Sequence, residues 1–521
     1  MARSTDSKEN NKAALEGARI CVLGSGPTAT EVLKNLVLGG IASFTVVDDV
    51  RVGPRDLGNN FMLEASSVGQ SRAAAATALL QELNDAVAGS FVDEAPDALL
   101  AANPRFLAEF SLVIATQMME AQMMRLDVAC RELGVPLLCV RAYGLVGYLR
   151  ASLPEHCVVE AKPDNTIEDL RLHRPWPELT AFSRCFDLAA VDDVTHRHVP
   201  WAVLLIQALS AWHDAHMGRL PATAEEKTQF RTLLQSWQRS AAGVPMQEEN
   251  FDEALAHVRK VFAPPTIPAE VAALMRDECA TALTPGSDIF WVLVAALRGF
   301  VEGEGGGDLP LEGSIPDMTA TTEAFLALQR LYRERAEADA AAVEARAAAL
   351  LKRLGRDPGQ LQRAAVRLFA KNARNLHVVR WRRLGEARGA AQGDVLRGAL
   401  ASEDTGANAG LLLLLRAVDR FHAAHGRFPG TYDGGLEEDV SLLRARLAPL
   451  LTEVGAPGSA VADDLVGEVV RFGACELHCV AAVMGAAAAQ EAIKLLTRQF
   501  VPLGGTLVYN AMASTSSVFP L

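Results

Sequence analysis

No two cysteines in this 521-residue chain stand in a C-x-x-C spacing. That absence argues against a four-cysteine zinc site. Positive charge is also short. Lys and Arg number 50 against 63 Asp and Glu, a net charge of −13. Nucleic acid and anionic membrane are therefore poor candidates for the main partner. Apolar runs are brief; those such as 411–415 and 480–489 are too short to span a bilayer. The first residues, MARSTDSKENNKAALEG, contain no apolar h-region and do not read as a secretory signal. The expectation is a soluble, cytoplasmic protein, with the nucleus also open. Sustained a/d heptads are missing from the Ala/Arg/Glu-rich stretch 322–354. It reads as one long helix packed along one face, not as a coiled coil.

What is present is apolar content and alternation. Half of the residues are hydrophobic, and the length suits two or three domains with a substantial core. The eight cysteines are scattered, several of them inside apolar strand patterns, where they behave as small buried hydrophobes. That usage suits a reducing compartment. Between residue 18 and about 150, strands alternate with helices. Strands are expected at 18–23, 44–47, 112–116, 136–140 and 148–153, and helices at 30–38, 66–87 and 118–133. Such alternation implies a mainly parallel sheet covered by helices on both faces.

The most informative segment is 18–60. A buried strand, Ala18 to Leu23, runs into the turn Gly24-Ser25-Gly26-Pro27-Thr28-Ala29 and then a helix from Thr30. The second strand ends in Asp48-Asp49. The spacing G-x-G-x-x-A fits a dinucleotide turn. Glycines let the backbone approach a phosphate, the helix N-terminus offers free N–H groups, and an acid such as Asp48 can hold a ribose. The same residues fit a ligand-free strand–helix turn, with Asp48 a solvated acid near a helix N-terminus. Pro27 removes one N–H that could face a phosphate.

From about residue 164 helices dominate, separated by breaks such as Ala263-Pro264-Pro265 and the flexible stretch 303–308. After Arg471 the α/β character returns, with a helix at 475–497 and strands at 506–509 and 516–521. The expected fold is α/β: a Rossmann-like adenylation domain, its sheet mainly parallel, interrupted by a large and mostly helical insertion. The expected division is 1–165, 166–465 for the insertion, and 466–521 for completion of the first domain.

This organisation resembles the ubiquitin-activating enzyme superfamily, in which a similar turn is followed by E-x-L-K-N-L, here Glu31 to Leu36. It more closely resembles the regulatory subunits of the heterodimeric neddylation-activating enzyme, the amyloid-beta precursor protein-binding protein one family. The motifs that carry this include Asp56-Leu57-Gly58-Asn59-Asn60-Phe61, Gly89-Ser90-Phe91-Val92, Arg141-Ala142-Tyr143-Gly144-Leu145-Val146-Gly147-Tyr148 and Pro163-Asp164-Asn165. Ile315-Pro316-Asp317-Met318, Leu328-Gln329-Arg330-Leu331-Tyr332-Arg333-Glu334, 415–422 (LRAVDRFH) and 485–495 (GAAAAQEAIKL) follow in order.

The resemblance implies an obligate heterodimer in which the catalytic subunit binds ATP, magnesium and structural zinc. That partner adenylates the ubiquitin-like modifier, carries the thioester cysteine and passes the modifier to the conjugating enzyme. This chain would keep the adenylation fold, bind no cofactor or metal, contribute no catalytic residue, and position its partner. Its helical insertion would stand where catalytic chains carry their cysteine domain and would wall the modifier's cleft. Catalytic halves place an Arg after the second strand to engage ATP phosphates; here Asn59 stands at that place, and a neutral amide cannot offset triphosphate charge. Gly24, Gly26, Ala29 and Asp48 then form a vestigial turn. The resemblance further implies partner contacts at Leu328, Gln329, Tyr332, Arg333 and Arg335; Tyr and Arg are frequent interface anchors. A Y-D-R-Q-L-R-L-W-G segment usual at the start of such subunits has no match, Arg3 being the only nearby arginine. A self-sufficient adenylating enzyme of the sulfur-carrier type, an NAD-dependent oxidoreductase and a protein-binding adaptor are the alternatives.

Other features read as structural. Cys279 sits in mixed charge, unlike an activated thiol. Cys475, His478 and Cys479 are expected on one helix face against the sheet. His196 and His198 precede Pro200 in a loop. Arg72 opens a helix and faces either a partner or an internal acid. The basic stretch 363–388 reads as solvated helix faces.

Overall fold

The computed structural model describes residues 12–164, 168–241, 244–386, 390–431 and 435–521. Arg3, Asn165 and Arg388 lie outside the described residues. The chain forms two compact units, one of residues 1–158 and 378–521, the other of 159–377.

The first unit is built on an eight-stranded sheet. Its strands are β1 (Arg19–Leu23), β2 (Ser43–Val47), β3 (Ala88–Val92), β4 (Leu112–Thr116), β5 (Leu137–Tyr143), β6 (Val146–Ser152), β7 (Thr506–Asn510) and β8 (Thr515–Phe519). The spatial order is β8-β7-β6-β5-β4-β1-β2-β3. The β3-β2-β1-β4-β5 pairings are parallel, and the β5-β6-β7-β8 pairings antiparallel. Burial follows the period of two. Ile20, Val22, Ile114 and Leu138 enter one core, while Cys21, Leu23, Val113 and Cys139 enter the other.

Two helices cover the first face: α1 (Pro27–Leu38) and, from the chain's end, α7 (His478–Thr497). The second face is covered by α3 (Glu120–Leu133) together with α4 (Gly406–His425), α5 (Leu436–Glu453) and α6 (Asp463–Phe472). A short helix, α2 (Arg72–Gln81), leads into β3. Leu411 through Leu415 are each no more than 3% exposed, so α4 is apolar on all sides because it is buried on all sides.

These helices move the expected boundary. Residues 378–465, read from sequence as part of the insertion, cluster with the sheet-bearing unit, and the insertion is shorter, 159–377. The physical reason is the second sheet face, whose alternate side chains need an apolar cover.

The second unit is helical. Its core gathers Trp201 and the helix Trp201–Ala215 with Phe230, Phe251, Leu328 and Tyr332. The long helix Thr322–Arg353 begins at Thr321, whose Oγ1 accepts from Ala324 N–H, and ends with Lys352 and Arg353 near its negative pole.

Several expected bounds shift for local reasons. The helix expected over 66–87 is confined to Arg72–Gln81 because Gly69 has φ +86° and Ser71 caps the helix start. The helix expected from Cys475 starts at His478, so Cys475 lies in the preceding turn, off the helix face. Among the described residues no cluster of His, Cys, Asp and Glu could hold a metal. β3 was legible only as a motif; it is an edge strand with little burial. By length and composition α7 would span a bilayer, which the run 480–489 alone did not suggest, but 50% of the apolar window is buried inside the protein. It reads as a core helix.

Candidate functional site

β1 delivers the chain to Gly24 at φ +104°, a conformation that disfavours any side chain. A Cβ there would also stand 2.4 Å from Thr116 Oγ1. Pro27 occupies the first turn of α1, where a missing N–H costs nothing. Ala29 is buried against the sheet. The turn expected from sequence is therefore built, with a helix N-terminus pointing out of it.

That N-terminus already holds a carboxyl group from its own chain. Glu476, in the turn before α7, accepts through Oε2 from Thr28 N–H (3.0 Å) and Thr28 Oγ1 (2.7 Å). Its Oε1 lies 2.3 Å from where a Cβ on Gly26 would be, so only glycine lets the carboxylate in. Backbone N–H groups at a helix N-terminus are the donors a bound phosphate would use. Burial pushes the Glu476 carboxyl above the ordinary carboxylate range, opposed by the Thr28 hydrogen bonds, Arg72 and Gln117.

Asn59 holds that carboxylate's segment in place. Its Nδ2 donates to Glu476 O (2.7 Å), and its Oδ1 accepts from His478 N–H (3.1 Å). Asn60 is buried and donates to Ser25 O (3.1 Å) while accepting from Thr30 Oγ1 (3.1 Å) and Met62 N–H (3.1 Å). His478 lies against Phe61, the rings tilted by 37° with centroids 3.9 Å apart, and sets Nε2 3.1 Å from Glu31 Oε1.

Asp48 corrects the expectation of a solvated acid. It is 5% exposed. Its Oδ2 accepts from Ser25 N–H (3.0 Å), Ser25 Oγ and Arg72 Nη2 (2.9 Å), and its Oδ1 from Val50 N–H (3.2 Å). Arg72 also donates from Nε to Ser25 Oγ (2.9 Å) and from Nη1 to Asp56 Oδ1 (3.2 Å). Of the two readings of Arg72, the internal ion pair is the one formed. Burial lowers the Arg72 pKa, but Asp48, then Asp56 and Glu476, outweigh it and raise the value. The residues of the turn do not fit a nucleotide. Thr28 N–H is taken by Glu476, Asp48 by Ser25 and Arg72, and Asn59 offers a neutral amide already committed to the backbone around Glu476.

The structure separates the expected partner contacts on the long helix. Leu328 and Tyr332 are fully buried, and Tyr332 Oη donates to Leu170 O (2.6 Å). They are core residues, and the expectation that they anchor a partner is corrected. They lie on the helix stripe that faces the unit's own core. Arg333 is exposed, Gln329 half-buried, and Arg335 half-buried with its Nε 3.0 Å from Asp339 Oδ1.

The thiols divide as the apolar patterns suggested. Cys21, Cys130 and Cys139 are buried, and burial raises their pKa, Cys130 to about 12. Cys185, Cys279, Cys475 and Cys479 are exposed. His196 is buried, with Nδ1 2.6 Å from Glu248 Oε1, and serves packing. Within the basic stretch, Arg367 pairs with Glu337 and Arg380 with Glu155 (2.8 Å), so these charges are partly spent internally.

Sequence reasoning missed Glu476 and Asn60. Asn60 sat inside a quoted motif. Glu476 carried no local signal except its place just before a helix packed on α1.

A Rossmann-like sheet with a glycine turn between β1 and α1, extended by antiparallel strands, defines an adenylation-type fold. The model of the ThiF family matches residues 3–521, and the chain belongs to that family. Within it the chain groups with the NEDD8-activating enzyme E1 regulatory subunits. It is 46% identical to the regulatory subunit AXR1 of Arabidopsis thaliana over 98% of this chain and 94% of that protein. It is 44% identical to the corresponding subunit of Gallus gallus, over 98% of this chain and 96% of that one. The subunit of Saccharomyces cerevisiae matches over similar lengths at 25% identity. A regulatory subunit of this kind implies a catalytic partner subunit.

Proposed function

We propose that this chain is the non-catalytic half of a NEDD8-activating heterodimer, that it binds no nucleotide itself, and that it acts by positioning its catalytic partner. The observation that carries this reading is the Glu476 carboxylate on the N-terminus of α1. ATP, magnesium and structural zinc belong to the partner, which adenylates the modifier and carries its thioester before transfer to a conjugating enzyme. Exposed apolar side chains of the first unit, Phe61 (62% exposed) and Val483 (45%), are surface that pairing of two adenylation-type domains would cover. Gln329, Arg333 and Arg335 are the remaining candidates for partner contact on the long helix. The helical unit replaces a catalytic-cysteine domain and walls the modifier's cleft. Neither nucleic acid nor membrane is a partner. Eight free cysteines suit a reducing compartment, the cytoplasm or the nucleus.

The test is co-expression with a catalytic subunit, followed by ATP–pyrophosphate exchange and an ATP-dependent thioester assay. The chain alone does neither, and the partner's thioester formation falls to background without it. Pyrophosphate exchange by this chain alone would sink the reading.

A further inference from the structure

A second set of charges lies on the other sheet face of the first unit, away from the glycine turn. Arg150 on β6 is 2% exposed. Its contacts are long hydrogen bonds to neutral oxygens: Nη1 donates to Thr506 Oγ1 (3.4 Å) and Nη2 to Arg382 O (3.4 Å). Its Nε is buried without a partner. Among the described residues no carboxylate pairs with it.

The neighbouring charges are already committed. Arg141 takes both oxygens of Asp419 at 2.9 Å. Arg416 lies 3.5 Å from Glu120. Asp127 accepts from Arg131 (2.9 Å), Ser152 and Leu384 N–H (2.9 Å). A cavity of about 30 Å³ opens beside these groups. Among the described residues, Arg141, Arg150 and Arg416 line it with Glu120 and Asp419, and Leu384, Leu412 and Leu415 complete its apolar side. Among these described lining residues one positive charge is left over.

A buried guanidinium with neither counter-charge nor full hydrogen bonding is costly to maintain. Arginine does not relieve that cost by deprotonating. Burial here does lower the Arg150 pKa. The cavity exceeds what one water needs and has room for a single small ion.

We propose that this cavity is a binding site for one small monovalent anion of chloride size, held by Arg150. The ion supplies the missing charge and accepts from Nε. Water could fill the same space but would not neutralise it. Binding ties β6 to β7 through Thr506 and to the segment at Arg382.

Two measurements on the purified chain test this. Crystals soaked in sodium bromide and measured at the bromine edge show an anomalous peak within hydrogen-bonding reach of Arg150 Nε. The melting temperature rises by about 2 °C or more across a hundredfold range of chloride, against gluconate at equal ionic strength. Arg150→Met abolishes that rise. If the variant does not fold, the bromide map of the unaltered chain decides. No bromide peak at this place, equal melting in chloride and gluconate, or a chloride effect that survives Arg150→Met would each overturn the proposal.

Discussion

Glu476 and Thr28 are joined by two hydrogen bonds at the open end of α1. Replacing Glu476 with Ala removes two hydrogen bonds, at a cost of about 1.5–3 kcal/mol, and exposes the Thr28 N–H beside Gly26. The variant is expected to gain what the unaltered chain lacks: melting that rises with inorganic pyrophosphate. Differential scanning fluorimetry with and without pyrophosphate reads this directly. A variant that folds but ignores pyrophosphate would show that the turn is closed by more than one carboxylate. The glycine turn, its strand and its helix were legible because each is local. Glu476 was not, because it reaches the turn from the far end of the chain. From sequence, Asn59 shows only the charge it fails to supply. Its actual work, two hydrogen bonds to the backbone around Glu476, needed coordinates.

His156 adds a pH dependence. Burial first, and Arg498 second, push its pKa down to about 4, and its Nε2 is buried without a partner. An unfolded histidine takes its proton near pH 6.5. As pH falls from about 6.5 to about 4, the unfolded chain is protonated first and gains the advantage. The contribution is therefore complete above the unfolded value and lost through this window, up to about 3 kcal/mol. His213 and His257 are shifted the same way by burial. His156→Leu is expected to flatten, without abolishing, the fall in melting temperature between pH 6.5 and 4.

At the scale of elements, α1 and α7 meet through Gly485. A Cβ there would lie 2.6 Å from Glu31 Cβ and 3.0 Å from Val32 N. Backbone cannot swing aside as a side-chain tip can. Gly485→Ala should cost about 1–3 kcal/mol. Gly398, in the helix Ala390–Leu400, has nothing within 4 Å of the same position, and Gly398→Ala should gain up to about 1 kcal/mol from helix propensity. Chemical denaturation of the pair separates close packing from propensity. Helix types read well from sequence, and the long helix ends within one residue of expectation. Membership did not. A helix covering a sheet and a helix in a separate bundle share one period, and the usable hint was the unbroken run Leu411–Leu415, which needs apolar neighbours on every side.

At the scale of the molecule, the chain leaves its sheet-bearing unit after Val158 and re-enters it at Val378. These two residues lie on paired strands. Closing so short a gap costs little loop entropy. Replacing 160–376 by a short Gly/Ser linker should leave a cooperatively folding unit with its own two-faced core. A broad, non-cooperative melt would show that the unit depends on the helical insertion.

The occupied turn has a pharmacological corollary. A drug-like adenosine mimic aimed at ThiF-type pockets meets in this subunit a cradle filled by Glu476 and Arg72. Titrated against the assembled heterodimer, such a compound should saturate at one equivalent per pair. The discrimination between two related folds would rest on a residue that no part of the compound needs to touch.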